Sequence, residues 1–140
     1  MAKIFDDILG DAKKKGSKIW GNLKSASRNK LKNTVESLNE SLPIIEEAGF
    51  VLVRMDVDIA LLPRVFARFK QVTELEENEK KALLERTKGQ KFLHIILHGL
   101  FQGISVRREV QINGMDMQEI ELEIGLTPSA KLIFRGQDAR

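Results

Sequence analysis

The sequence predicts an α+β protein: duplicated αββ units forming a four-stranded antiparallel sheet with helices on one face, preceded by an N-terminal amphipathic helix. Three observations predict it. Residues 50–70 and 115–135 each alternate apolar and charged side chains at the period of two that a half-buried strand requires, with a proline partway along. Each stretch follows a run of apolar residues at helical spacing that closes on a glycine. The two stretches also align when the chain is slid by 65 residues. Gly49 then meets Gly114, Ile59 meets Ile124, Leu61 meets Leu126, Pro63 meets Pro128 and Phe69 meets Phe134, five identities over residues 49–70, where chance gives about one at ordinary residue frequencies.

The first element is an arm, residues 1–28. Ile4, Phe5, Ile8, Leu9, Ala12, Ile19, Trp20 and Leu23 share one broad helical stripe. Beyond about Asn29 the stripe rotates, so a segment boundary is expected at residues 25–30. Gly10, Gly16 and Gly21 each cost such a helix about 1 kcal/mol relative to Ala. The arm is therefore expected to lie against something. It is also where the positive charge resides: residues 1–34 carry nine Lys or Arg against three Asp, while the remainder carries fourteen basic against seventeen acidic residues.

The domain proper is expected over 29–136, as one unit at about 29–71 and a second at about 73–136, with a disordered tail at 137–140. In the first helix Leu31, Val35, Leu38, Leu42 and Ile45 line one face, and Gly49 stands where a positive φ is needed. The first strand points Val53, Met55, Val57, Ile59 and Leu61 one way and Arg54, Asp56 and Asp58 the other. After the turn at Pro63 the return strand buries Val65, Ala67 and Phe69. In the second unit Ala82, Leu83 and Leu84 lead through Phe92, Ile95, Ile96 and Leu100, with a break near Lys88-Gly89. Ile120, Leu122, Ile124 and Leu126 alternate with Glu119, Glu121 and Glu123, and Ala130, Leu132 and Phe134 return on the buried side. Residues 104–118 admit two readings. Asn113-Gly114 resembles a type I′ hairpin turn, whereas the 65-residue offset makes it a helix end; the offset favours helix. The αββ-αββ order resembles a circularly permuted ferredoxin-like fold in topology alone.

Composition narrows the function classes. The chain has no cysteine, which excludes disulfides and thiolate chemistry. Asp6, Asp7 and Asp11 interrupt any signal-peptide core. The most apolar run, residues 92–104, is short of the roughly 20 residues needed to cross a bilayer. A cytoplasmic protein is the expectation, with a peripheral membrane location as its variant. Neither phosphate-binding glycine fingerprints nor a GxSxG elbow occurs. His94 and His98 have the i, i+4 spacing of metal ligands, but Ile95 stands where a zinc-protease motif places Glu. Asp56, Asp58, Glu121 and Glu123 would form a cation site if the hairpins met about a pseudo-twofold axis; cross-strand pairing with Arg64, Arg68, Lys131 and Arg135 is the plainer reading.

The expected function is thus a non-enzymatic binding or assembly module, with no cofactor, metal or catalytic residue assigned. Ile4, Phe5, Ile8, Leu9, Trp20 and Leu23 are the expected contacts, with Lys13, Lys14, Lys15 and Lys18 supplying electrostatics. The partner is a second copy, another protein or a membrane surface; the lysines have few aromatic neighbours to stack bases, which argues against nucleic acid. The alternative is a carrier of a lipid or acyl chain, held near Phe92, Ile96, Leu100 and Phe101. A metal-dependent enzyme is the distant third.

Overall fold

The computed structural model describes residues 25–59, 62–125 and 128–136, with side chains from Arg28 onward. The arm contacts named above, Leu61, Leu126 and the tail lie outside the described residues.

Helix α1 (Ser25–Glu47) runs unbroken past residues 28–29. Its spacing puts Leu31, Val35, Leu38, Leu42 and Ile45 on one buried stripe. The helix ends at Gly49, with φ of 98°. That carbonyl accepts hydrogen bonds from Val72 (2.7 Å) and Thr73 (3.2 Å), so the turn ties the end of α1 to the end of the first hairpin. The hairpin is β1 (Phe50–Asp58) and β2 (Arg64–Gln71). Two helices follow, α2 (Glu77–Arg86) and α3 (Lys91–Glu109), then a second hairpin, β3 (Met115–Ile124) and β4 (Ser129–Gly136). Among the described residues the protein is therefore three helices and one four-stranded antiparallel sheet, an α+β fold.

The ambiguous stretch 104–118 is helix through Glu109, and Gly114 adopts φ of 77° before β3 begins. The interruption at Lys88-Gly89 is present, and it decides the topology. A single helix after β2 would deliver the chain to the far end of the sheet, making β3 parallel to β2 with another strand between them, as in the split βαβ of ferredoxin-like folds. Two helices bring the chain back to the end it left. β3 therefore pairs directly and antiparallel with β2, and the strand order is β1-β2-β3-β4. The permuted ferredoxin-like order is thereby corrected.

Corresponding strands are now related by a shift along the sheet, not by a twofold axis. The two hairpins nonetheless share one register at the 65-residue offset. Leu52 faces Phe69 as Met117 faces Phe134; Met55 faces Ala67 as Ile120 faces Leu132; Asp58 faces Arg64 as Glu123 faces Ser129. Both carry a one-residue irregularity, between Leu52 and Arg54 and between Met117 and Glu119. The bulge corrects the alternation expected of β1: Val53 is the extra residue and is 45% exposed, while Leu52 takes the inward place opposite Phe69.

The core lies between the sheet and the helices. Phe50, Ala67, Phe69, Ile120 and Leu122 from the sheet meet Leu38, Ile45, Leu97, Leu100 and Ile104 from the helices. Gly99 and Gly103 let α3 lie close on β3 and β4: a Cβ on Gly103 would sit 2.8 Å from Ile120 Cδ1 and 3.2 Å from Leu132 Cδ2. A smaller cluster of Leu31, Val35 and Val65 sits under the start of α1.

Candidate functional site

The face of the sheet away from the helices is a lattice of charge. Arg68 reaches Glu121 at 3.2 Å and Glu119 at 3.7 Å; Lys131 reaches Glu121 at 3.4 Å; Arg135 reaches Glu119 at 3.1 Å. Arg64 donates to Asp58 at 2.8 Å and to Glu123 at 3.2 Å. The bond to Asp58 is the main cause raising the Arg64 guanidinium above its ordinary value. Arg54 holds Asp56 at 3.2 Å. The four carboxylates considered as a cation site are thus each engaged by a guanidinium or ammonium, and they do not converge. No cluster of three or more potential ligands occurs among the described residues.

His94 and His98 stack edge to face, ring centroids 4.6 Å apart. His98 is exposed and His94 half-buried, and the His94 Nδ1 is buried with no hydrogen-bond partner. Among the described residues no third ligand stands beside these two imidazoles.

The apolar features concentrate where α1 and α3 begin. One cleft of about 320 Å³ lies between Lys30, Leu31 and Thr34 of α1 and Leu62, Arg64, Val65 and Ile124 at the sheet end. A second, of about 290 Å³, lies between α3 and the second hairpin, lined by Phe92, Ile95, Ile96, Gly99, Ile124 and Ala130 among others. Of the four residues expected to line a ligand pocket, the fold brings Phe92 and Ile96 into this cleft. Leu100 is fully buried in the core instead. Phe101 packs against Phe50, centroids 6.2 Å apart, with the Lys80 ammonium 5.8 Å from its ring. Phe92, Ile96 and Leu100 follow one helix stripe at spacings of four, but the cleft lies at the start of α3 and takes only the first two; Leu100, a turn further on, is already under the sheet, and Phe101 turns to Phe50 of β1. Gly99 and Ala130 were not among the expected lining. Both are small residues, and a Cβ at Gly99 would lie 3.1 Å from Leu122 Cδ2, so they mark where α3 comes close to the second hairpin.

The third feature is the sheet's two outer edges. No strand pairs with the outer side of β1 or of β4 among the described residues. The return strands differ sharply in cover. Val65, Ala67 and Phe69 of β2 are buried to 1% exposure or less. Ala130 is exposed, and Leu132 and Phe134 of β4 are only half-buried, which corrects the expectation that β4 buries all three. No described helix is long and apolar enough to cross a membrane.

No protein family matches the chain, and neither curated proteins nor solved structures give a significant match.

Proposed function

We propose that the protein is a non-enzymatic binding and assembly module built from two related αββ units. The matching hairpin registers, the bulges at Val53 and Gln118, and the left-handed glycines at Gly49 and Gly114, all 65 residues apart, support the duplication. The observation that carries the binding role is β4. Among the described residues it offers an unpaired edge and an incompletely covered helix-side face, at Ala130 and Phe134, where β2 is sealed. A protein surface that leaves strand edge and apolar side chains together is suited to receive another chain.

The basic arm is the second docking element in this reading. Ile4, Phe5, Ile8, Leu9 and Leu23 supply apolar contact, and Lys13, Lys14, Lys15 and Lys18 supply attraction to an acidic protein or an anionic membrane surface. The protein then works in the cytoplasm, at times on a membrane periphery. Trp20 is the sole tryptophan, so its fluorescence reports on the arm alone. Titration of the full chain with vesicles containing anionic lipid should shift Trp20 emission to shorter wavelength and co-sediment the protein. Ile8→Asp with Leu23→Asp should abolish both. An unshifted spectrum and protein left in the supernatant would remove the membrane arm from the proposal.

A second reading, a carrier of a small apolar ligand, is favoured by the cleft beside Phe92, Ile96 and Ala130. Its volume is at the lower end of ligand pockets, and its lining is mostly apolar. Native mass spectrometry of the purified protein should then show an adduct that Ile95→Glu, at an exposed position lining the cleft, removes. A bare apo mass would leave the assembly reading alone.

A further inference from the structure

We infer that the partner of the β4 edge is the β1 edge of a second copy, joined by the same register that joins β2 to β3 within the chain. The inference rests on the assembly reading above and names its geometry. Inside the molecule, β2 and β3 meet through five pairs: Val65–Ile124, Phe66–Glu123, Ala67–Leu122, Arg68–Glu121 and Phe69–Ile120. β1 pairs with β2 in the register in which β3 pairs with β4. Antiparallel strands alternate hydrogen-bonded and non-bonded positions. Equal inner registers therefore leave β1 presenting on its outer edge the same phase of N–H and C=O groups that β3 presents to β2. By the same reasoning the outer edge of β4 repeats the edge β2 turns to β3. β1 and β4 also run in opposite directions, so a second copy set beside the first without inversion continues the antiparallel alternation.

Shifting the five internal pairs by 65 residues gives the joint between copies. Ala130 meets Ile59, Lys131 meets Asp58, Leu132 meets Val57, Ile133 meets Asp56 and Phe134 meets Met55, the second residue of each pair belonging to the neighbouring copy. Four of the five pairs match in chemistry; Ile133 against Asp56 does not, and there Arg54 holds the carboxylate. On the helix side every pair is apolar, and the joint takes Ala130 and Phe134 out of solvent, as β3 does for Val65 and Phe69. On the charged face the Lys131 ammonium meets the Asp58 carboxylate. One like-charged meeting, Arg135 with Arg54, falls just past the five pairs; there Glu119 and Asp56 already hold the two guanidiniums. The alternative of β4 against a second β4 is poorer. Centred on Ile133, it would set Lys131 opposite Arg135 twice. Because the β4-to-β1 joint uses two different surfaces, it propagates into a ring or a filament instead of stopping at a dimer.

The chain has no cysteine, so an introduced pair is read without background. Asp56→Cys with Ile133→Cys places the two thiols directly opposite in the proposed joint. Within one chain they lie on strands three spacings apart, about 14 Å, which is too far for a disulfide. Mild oxidation of the double variant, folded by circular dichroism, should give a reducible ladder of dimers, trimers and higher species. Neither single variant should pass dimer. In sedimentation, the wild-type mass should rise past dimer with concentration. Lys131→Glu or Asp58→Lys should weaken association about tenfold, and the two combined should restore it. A monomer at every concentration with no ladder would overturn the inference while leaving the Trp20 response, and the docking arm, to stand on its own. Dimers formed by Ile133→Cys alone as readily as by the pair would overturn it too, in favour of β4 against β4.

Discussion

The two hairpins share a register and differ in circumstance. β2 sits in the middle of the sheet with a strand on either side and α1 over it, and its inward residues are sealed. β4 repeats the pairing of β2 at the edge, and its inward residues stay partly in water. The same local pattern thus yields core in one place and surface in the other. Burial is a property of position in the sheet, which alternation alone does not encode. What alternation does encode is which side chains would be buried if a neighbour arrived.

The largest test of that contrast compares equivalent phenylalanines. Phe69→Ala removes a ring with no exposure from the packed core and should cost about 4 kcal/mol. Phe134→Ala removes its counterpart at the half-covered edge and should cost about 1 to 2 kcal/mol. Urea unfolding at low protein concentration measures both. Equal losses would mean that β4 is as enclosed as β2. If the Phe134→Ala loss grows with concentration while the Phe69→Ala loss does not, the edge is being covered by another copy.

The paired glycines sharpen the comparison at a smaller scale. Both adopt positive φ, which an L side chain pays for with about 1 to 2 kcal/mol. They differ in what surrounds them. A Cβ on Gly49 would lie 2.0 Å from the Thr73 carbonyl oxygen, backbone that is itself pinned by the hydrogen bond to Gly49. A Cβ on Gly114 would meet open space. Gly49→Ala should therefore cost about 3 kcal/mol, strain and collision together, against about 1 kcal/mol for Gly114→Ala. Thermal unfolding of the two variants ranks them, and a reversed ranking would break the argument.

Much of this fold was legible in the residues. The stripe of α1, the left-handed glycine at 49, both strand pairs and the Lys88-Gly89 break all follow from local chemistry, because each is decided within a few residues of chain. Three things were not. The bulge at Val53 leaves no mark because residues 50–53 are all apolar, so the phase of the alternation cannot be read there. The strand order hung on whether the 77–109 stretch made one pass or two, and the break was visible while its consequence for β3 needed geometry. Pro43, inside α1, gave no warning either: it is exposed and the helix continues through it, short of one N–H. At the candidate site, Phe92 and Ile96 were legible as a face, while Gly99 and Ala130 become visible only once α3 is laid on β4. The arm contacts fall outside the described residues.

The smallest expected effect concerns contacts that have no equivalent in the other half. Glu47 at the end of α1 accepts from Arg86 of α2 at 2.6 Å, and Glu74 before α2 accepts from Arg108 of α3. At the 65-residue offset Ile112 stands where Glu47 does, so the second hairpin lacks such a latch. In each pair the hydrogen bond from the guanidinium is the chief cause holding the carboxyl below the ordinary glutamate value, which is about 4.3. A depressed folded-state pKa means that the unfolded chain takes up protons first as pH falls. The stabilisation is therefore fully present above the ordinary glutamate value and is lost on descending through the lowered one. Both pairs are solvent-exposed and salt-screened, so the effect is slight. A Glu47→Gln, Glu74→Gln variant should melt marginally below wild type at neutral pH, and the gap should close in acid. A gap that stayed constant from neutral to acid pH would mean that the two carboxylates hold the helices by shape and not by charge.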